Sequence, residues 1–251
     1  MNPKEGIDAL GVDLRGRHAL ILGVGGIGWA LARICAALGA RLTLVDRQLP
    51  AEDLRNTLCA AASHRWLAMD LSEASAQDRL LAQCGDVDAL AITSAVCPDE
   101  SGLDPASAAW DESFEAVFRI NVAAPLRLSL RMLEAMAARG QGRIVLVGSM
   151  AARNGGLLAG GQYAASKGAL HTAARWLAQR AAPRGVSVNA VAPGVTLTPM
   201  IEGRSYDASR IPLGRAAEPV EVARIIAFLM SPAASYVQGQ VIDVNGGAWI
   251  G

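Results

Sequence analysis

The sequence predicts a doubly wound α/β fold: one parallel sheet covered by helices on both faces, in a single domain spanning residues 1–251. Three observations predict it. Short runs of continuous apolar character alternate with longer segments of helical period, the pattern of strands buried on both faces. The first such run leads into the glycine-rich turn Gly23-Val24-Gly25-Gly26-Ile27-Gly28. No Ser/Pro-rich or charge-rich linker divides the 251 residues, a length that α/β chains routinely fold as one unit.

The elements follow in order. His18–Gly23 reads as the first strand and Gly26–Leu38 as the first helix. Arg41–Asp46, His64–Asp70, Val87–Thr93, Arg143–Gly148, Val186–Val191 and Gln240–Val244 continue the strands. Asp111–Arg139 reads as one long helix, and a second clear helix carries Gln162-Tyr163-Ala164-Ala165-Ser166-Lys167. Parallel sheets of this kind bind ligands beyond the carboxyl ends of their strands, so functional residues belong just after each strand.

Composition excludes several classes. With 23 Lys+Arg against 23 Asp+Glu the net charge is zero, which argues against a nucleic-acid binder. A chain that is 52% hydrophobic and 18% charged folds rather than staying disordered. The longest glycine-rich apolar stretch, Ala19 to Ala32, falls short of the ~20 residues of a membrane helix, and no secretory signal precedes it. A cytoplasmic protein with no membrane partner is expected. Cys35, Cys59, Cys84 and Cys97 and the three histidines His18, His64 and His171 are scattered, so no metal site is expected. Only two of the 23 basic residues are lysines, Lys4 and Lys167.

The glycines of the turn allow a tight bend and let backbone N–H groups of Gly25, Gly26, Ile27 and Gly28 approach a pyrophosphate at a helix N-terminus. Asp46 closes the next strand 18 positions beyond Gly28. A carboxylate there accepts hydrogen bonds from ribose hydroxyls and repels a 2′-phosphate, which favours NAD over NADP. Arg47 follows and either softens that preference or is simply solvated. Asp70, with Leu71 behind it, ends the third strand, where it meets an adenine or caps the following helix.

Tyr163 and Lys167 form a Y-x-x-x-K pair, one helical turn apart and on one face. An ammonium so placed stabilises a phenolate and lowers the tyrosine pKa, and unlike arginine it can give up a proton. Ser149 stands 14 residues before the tyrosine at a strand end, where a hydroxyl can hold a reacting oxygen or cap the loop. Asn121 precedes Pro125 by four positions. Proline has no N–H for the Asn121 carbonyl, which is left to hold a water or to mark a kink.

The order glycine turn, Asp46, Asp70, Asn121, Ser149, Tyr163, Lys167 and Pro193-Gly194 resembles the short-chain dehydrogenase/reductase family from about residue 15 to the end, as do Pro212-Leu213-Gly214-Arg215 and Asp243-Val244-Asn245-Gly246-Gly247. The resemblance implies the Rossmann fold and a catalytic tetrad. Tyr163 would be the general acid/base, Lys167 would tune it and hold the nicotinamide ribose, Ser149 would position the reacting oxygen and Asn121 would anchor a relay water. It further implies cofactor contacts from Gly23, Ser94, Pro193, Gly194, Val195 and Thr198, a short substrate lid at about 198–212, and a homotetramer, with a dimer as the alternative. Two departures stand out. The family's T-G-x-x-x-G-x-G is here Leu22-Gly23-Val24-Gly25-Gly26-Ile27-Gly28, one residue shorter and without the threonine, and its N-N-A-G is Ile92-Thr93-Ser94-Ala95.

The implied activity is hydride transfer between NAD(H) and a secondary alcohol or ketone. Its alternatives are an NADPH-dependent 3-oxoacyl-thioester reductase and a non-catalytic NAD-sensing protein. Met200, Arg204 and Tyr206 in the lid and Arg153, Leu157 and Leu158 after Ser149 are candidate substrate contacts. Arg153 or Arg204 would clamp a carboxylate, or each is merely solvated.

Overall fold

A computed structural model of the chain describes residues 11–58, 64–156 and 159–251. Lys4, Cys59, Leu157 and Leu158 lie outside the described residues. Seven strands, β1 (His18–Leu22), β2 (Arg41–Asp46), β3 (Arg65–Ala68), β4 (Ala89–Ile92), β5 (Gly142–Val147), β6 (Val186–Pro193) and β7 (Val241–Val244), form one sheet in the order β3-β2-β1-β4-β5-β6-β7. Every pairing is parallel. The order reverses between β1 and β4, which leaves a crevice at their carboxyl ends.

The helices are α1 (Gly26–Ala37), α2 (Glu52–Arg55), α3 (Ala74–Cys84), α4 (Ala108–Phe118), α5 (Ala124–Ala138), α6 (Ala151–Asn154), α7 (Gly161–Ala181) and α8 (Pro219–Met230). Strand alternation sorts the core into two halves. Ala19, Ile21, Leu42, Leu44, Ala91 and Val145 face α1 and α8. Leu20, Leu22, Leu90, Ile92, Ile144 and Leu146 face α3, α5 and α7. Both faces of the central strands are therefore apolar, which is why they read as continuous runs.

The predicted strands all form, β2 with the expected ends and the others with shifts of at most two residues at either end. The edge strand β3, Arg65–Ala68 against an expected His64–Asp70, and β4, Ala89–Ile92 against Val87–Thr93, are each shortened by three residues. The single helix expected over 111–139 is instead α4, a five-residue π-helical turn Arg119–Ala123, and α5. The interruption falls on Asn121 and ends just before Pro125, whose missing N–H cannot continue the α ladder. Of the alanines on α5 and α7, Ala174 is buried in the core, whereas Ala135 and Ala138 are exposed.

Candidate active site

A cleft of about 1320 Å³ opens at the carboxyl ends of β1, β2, β4, β5 and β6, more than the roughly 300–1,000 Å³ of a pocket built for one small ligand. One end is the glycine turn between β1 and α1. Gly23 adopts φ +92°, and a Cβ there would lie 2.5 Å from the Ser94 nitrogen. A Cβ on Gly28 would lie 1.9 Å from the Gly23 carbonyl oxygen and 2.7 Å from Thr93 Oγ1. A Cβ on Gly26 would press on Thr198 Cγ2 at 2.6 Å. The turn is thus folded tightly on itself and capped by Thr198, with the N-terminus of α1 facing the cleft. This fits a dinucleotide pyrophosphate.

Asp46 stands beside that turn. Its Oδ2 accepts from the Val24 N–H at 2.6 Å and its Oδ1 from the Arg47 N–H at 2.7 Å. Each oxygen keeps a lone pair for a ribose hydroxyl. Arg47, exposed at the rim, and Asp70 and Leu71 after β3 also line the cleft. Asp70 accepts from the Ser72 N–H at 2.9 Å, and this bond holds its carboxyl below the usual range. Asp70 therefore closes the turn before α3 while lining the cleft; the N-cap of α3 itself is Glu73.

The other end of the cleft holds Ser149, Tyr163 and Lys167. Tyr163 is 9% exposed, and Ser149, whose Oγ accepts from the Ala151 N–H at 3.1 Å, lines the cleft beside it. The Lys167 ammonium lies 5.6 Å from the Tyr163 ring centroid and donates to the Val147 carbonyl at 2.8 Å. Burial pushes the lysine down to about 8 and the tyrosine up to about 12. The expected lowering of the tyrosine pKa by Lys167 is thus not met by the protein's own groups. Desolvation of the phenolate outweighs every opposing effect, and the downward pull comes from the Ser149 side chain and the Arg204 charge.

Asn121 sits behind this pair and does not line the cleft. Its Oδ1 accepts from the Val96 N–H and its Nδ2 donates to the Val96 carbonyl, both at 2.9 Å, while Nδ2 also reaches Ser166 Oγ at 3.1 Å. The side chain pairs with Val96 as a neighbouring strand would, and ties the segment after β4 to α7. Ser94, Pro193, Gly194, Val195 and Thr198 all reach the cleft from β4 and β6.

Among the substrate candidates, Met200, Arg204 and Tyr206 line the cleft. Arg204 is not a merely solvated side chain: Nη2 donates to the Cys97 carbonyl at 2.6 Å and Nη1 to its Sγ at 3.3 Å, tying the segment after β6 to the one after β4. Arg153 is a correction. It does not line the cleft, because its guanidinium is spent on Asp243, at 3.2 Å, and on the Val241 carbonyl of β7. Two contributors were not anticipated. Thr93 Oγ1 donates to the Gly23 carbonyl at 2.5 Å, and His171 Nε2 accepts from the Ser149 N–H at 3.3 Å. The i,i+4 spacing of Lys167 and His171 was a visible signal for the second.

Among the described residues no cluster of His, Cys, Asp and Glu could hold a metal, and no helix is long and apolar enough to cross a membrane. A family model described as "Enoyl-(Acyl carrier protein) reductase" matches residues 23–248. Galactitol 2-dehydrogenase (L-tagatose-forming) of Cereibacter sphaeroides is 36% identical over 249 residues, 93% of this chain and 95% of that enzyme. Of solved structures, a candidate NAD(P)-dependent gluconate 5-dehydrogenase from Beutenbergia cavernae, with NADP bound at low occupancy, superimposes with a TM-score of 0.85 at 32% identity, covering 95% of this chain and 98% of that one. The 3-ketoacyl-(acyl-carrier-protein) reductase of Brucella melitensis, complexed with NADH, gives 0.83 at 28% identity, covering 95% and 100%. A parallel sheet in this order, a glycine turn that admits no side chain at residue 28, and the Ser149–Tyr163–Lys167 end of the cleft agree with these matches: the chain belongs to the short-chain dehydrogenase/reductase family and is an oxidoreductase of alcohols and ketones.

Proposed function

We propose that the chain transfers hydride between NAD(H) and a secondary alcohol or its ketone, with Tyr163, Lys167, Ser149 and Asn121 as the working set. The observation that carries this reading is that Ser149, Tyr163 and Lys167 line one end of the cleft together, which brings two hydroxyls to one substrate oxygen. The glycine turn, Asp46, Asp70 and Lys167 would hold the dinucleotide, which when bound supplies or accepts the hydride.

In ketone reduction, Tyr163 is the acid. With its pKa held up near about 12 it is a neutral phenol at pH 7, able to give its proton to the developing alkoxide while Ser149 donates a hydrogen bond to the same oxygen. Lys167, at about 8, exchanges a proton near neutral pH and so can help restore the tyrosine. Asn121 holds the Val96 backbone and Ser166 on α7 in place, and its main-chain carbonyl, whose α-helical partner position four residues on is Pro125, would hold the relay water. Met200 and Tyr206 flank the substrate end, and Arg204 keeps their segment against Cys97.

Asp46 supports NAD over NADP, since a 2′-phosphate would meet its carboxylate. The 3-oxoacyl-thioester reductase reading is supported by Arg47 at the rim and by the similarity to the 3-ketoacyl-(acyl-carrier-protein) reductase. Exposed Trp176 on α7, at 41%, favours assembly through that helix into a homotetramer, and a cytoplasmic site of action accords with the unpaired thiols of Cys35, Cys84 and Cys97. The test is steady-state turnover of a panel of secondary alcohols with each cofactor. The expected result is a higher kcat/KM with NAD than with NADP, and loss of turnover in Tyr163→Phe with NADH affinity retained. Equal activity in that variant would remove Tyr163 from the mechanism, and a preference for NADP would remove the role given to Asp46.

A further inference from the structure

The end of β5 has an unpaired edge. Gly148 N–H donates to the Val191 carbonyl and Met150 N–H to the Pro193 carbonyl, both at 2.8 Å and both toward β6. Strand alternation therefore turns residues 147 and 149 the other way, toward β4. There β4 has already left: its last pairing to β5 is Ile92 with Leu146, after which the Thr93 and Ser94 N–H groups bond to Leu22 of β1. The Val147 carbonyl and the Ser149 N–H would be left without partners, a costly state for buried backbone. Helix α7 supplies both. Lys167 Nζ donates to the Val147 carbonyl at 2.8 Å, and His171 Nε2, one turn further along the same face, accepts from the Ser149 N–H at 3.3 Å.

The strand is shaped for that ring. A Cβ on Gly148 would lie 2.0 Å from His171 Nε2, so glycine alone lets the imidazole close on the strand. An accepting Nε2 requires the neutral tautomer with its proton on Nδ1. His171 is 3% exposed; burial, with the positive charges of Arg153, Arg175 and Lys167 around it, pushes its pKa down to about 4. Arg153 is itself paired with Asp243.

We propose that His171 is a positioning residue for Ser149: by holding the Ser149 amide it fixes the peptide that carries the serine side chain into the cleft that Tyr163 also lines. The proposal rests on the reading of Ser149 and Tyr163 as the pair that engages the reacting oxygen. Lys167 and His171 then form a two-point clamp that seats the end of β5 against α7, so the serine on the strand and the tyrosine on the helix keep a fixed separation.

The test compares His171→Asn and His171→Met, which cannot place an acceptor at the Nε2 position, with His171→Gln, whose carboxamide oxygen can. Two quantities are read: hydrogen exchange of the Ser149 amide by NMR, and kcat and KM for alcohol oxidation with saturating NAD. The expected result for Asn and Met is Ser149 exchange faster by about tenfold, kcat lower by about tenfold and KM within about twofold, since a misplaced group costs the reaction more than binding. Gln returns both to within about threefold of wild type. Having two variants with no acceptor at that position protects the comparison if one fails to fold. Unchanged Ser149 exchange in Asn and Met, or the same loss of kcat in Gln as in Asn, overturns the proposal. A wild-type protein that turns over no alcohol overturns the functional reading instead, while the exchange measurement still decides the hydrogen bond.

Discussion

Lys167→Met should make the protein more stable at neutral pH while removing its activity. Lys167 is 2% exposed and its pKa falls from 10.5 to about 8 because burial penalises the ammonium. At pH 7 that displacement corresponds to a cost of about 3 kcal/mol, at ~1.4 kcal/mol per unit. Between about pH 8 and 10.5 the unfolded chain holds the proton that the folded chain has released, so wild-type stability rises with pH across that window. Methionine fills a similar volume without the charge, but it deprives the Val147 carbonyl of its donor, a loss of about 1–2 kcal/mol. The net expectation is a variant more stable by about 1–2 kcal/mol at pH 7. That advantage should vanish near pH 10, where the wild-type cost falls below about 1 kcal/mol.

Urea unfolding at pH 7 and pH 10 measures this directly. Tyr163, with its raised pKa, is common to both proteins and drops out of the comparison. A variant less stable than wild type at pH 7, or a stability gap unchanged between the two pH values, would refute the reasoning. Loss of turnover together with the gain in stability would identify the lysine as a residue kept for its chemistry at the expense of the fold.

Three other substitutions follow from the geometry. Gly28→Ala drives a methyl into the Gly23 carbonyl and Thr93 Oγ1; overpacking of about 1–3 kcal/mol should open the turn, and NADH titration by fluorescence should show affinity weaker by at least about tenfold. Asp46→Ser removes the carboxylate beside Val24, so the ratio of kcat/KM for NADP over NAD should rise by about tenfold or more, on a charge interaction of at least ~1.4 kcal/mol. Asn121→Ala leaves both polar groups of Val96 without their partner, at about 1–3 kcal/mol for each group left unsatisfied; differential scanning calorimetry should show a lower Tm, and an unchanged Tm would mean the clamp is dispensable.

The strands were legible because a parallel sheet buried on both faces must be written in apolar residues, and β1, β2, β5 and β6 are. Their ends were less so. At β3 the flanking His64 and Asp70 share the strand's pattern, but the strand is an edge, half exposed, and pairing stops where β2 stops. The break in the long helix was signalled by Asn121 and Pro125, yet its form, a π turn, depends on packing against α7 and the segment after β4. Side chains whose partners are distant in sequence could not be placed at all. Arg153 looked available because Asp243, its partner, lies 90 residues away. His171 was visible one turn from Lys167, but its partner is a backbone amide, which leaves no mark in a sequence.

The two departures from the family pattern, read separately, each subtract something from the cofactor end: a turn one residue short with no threonine before it, and a strand end without the family's asparagines. In space they meet at one atom. In the shortened turn a Cβ on Gly28 would lie 1.9 Å from the Gly23 carbonyl oxygen, and the hydroxyl that satisfies this carbonyl comes from Thr93, at the end of β4. The threonine missing before the turn is thus answered by one across the strand gap, and the same Thr93 N–H pairs with Leu22. A side chain that bonds the turn from β4 holds together the two strands flanking the point where the sheet reverses its order. The altered β4 end and the shortened turn are therefore one feature, and replacing either segment alone with the family's usual residues should loosen the crevice that both enclose.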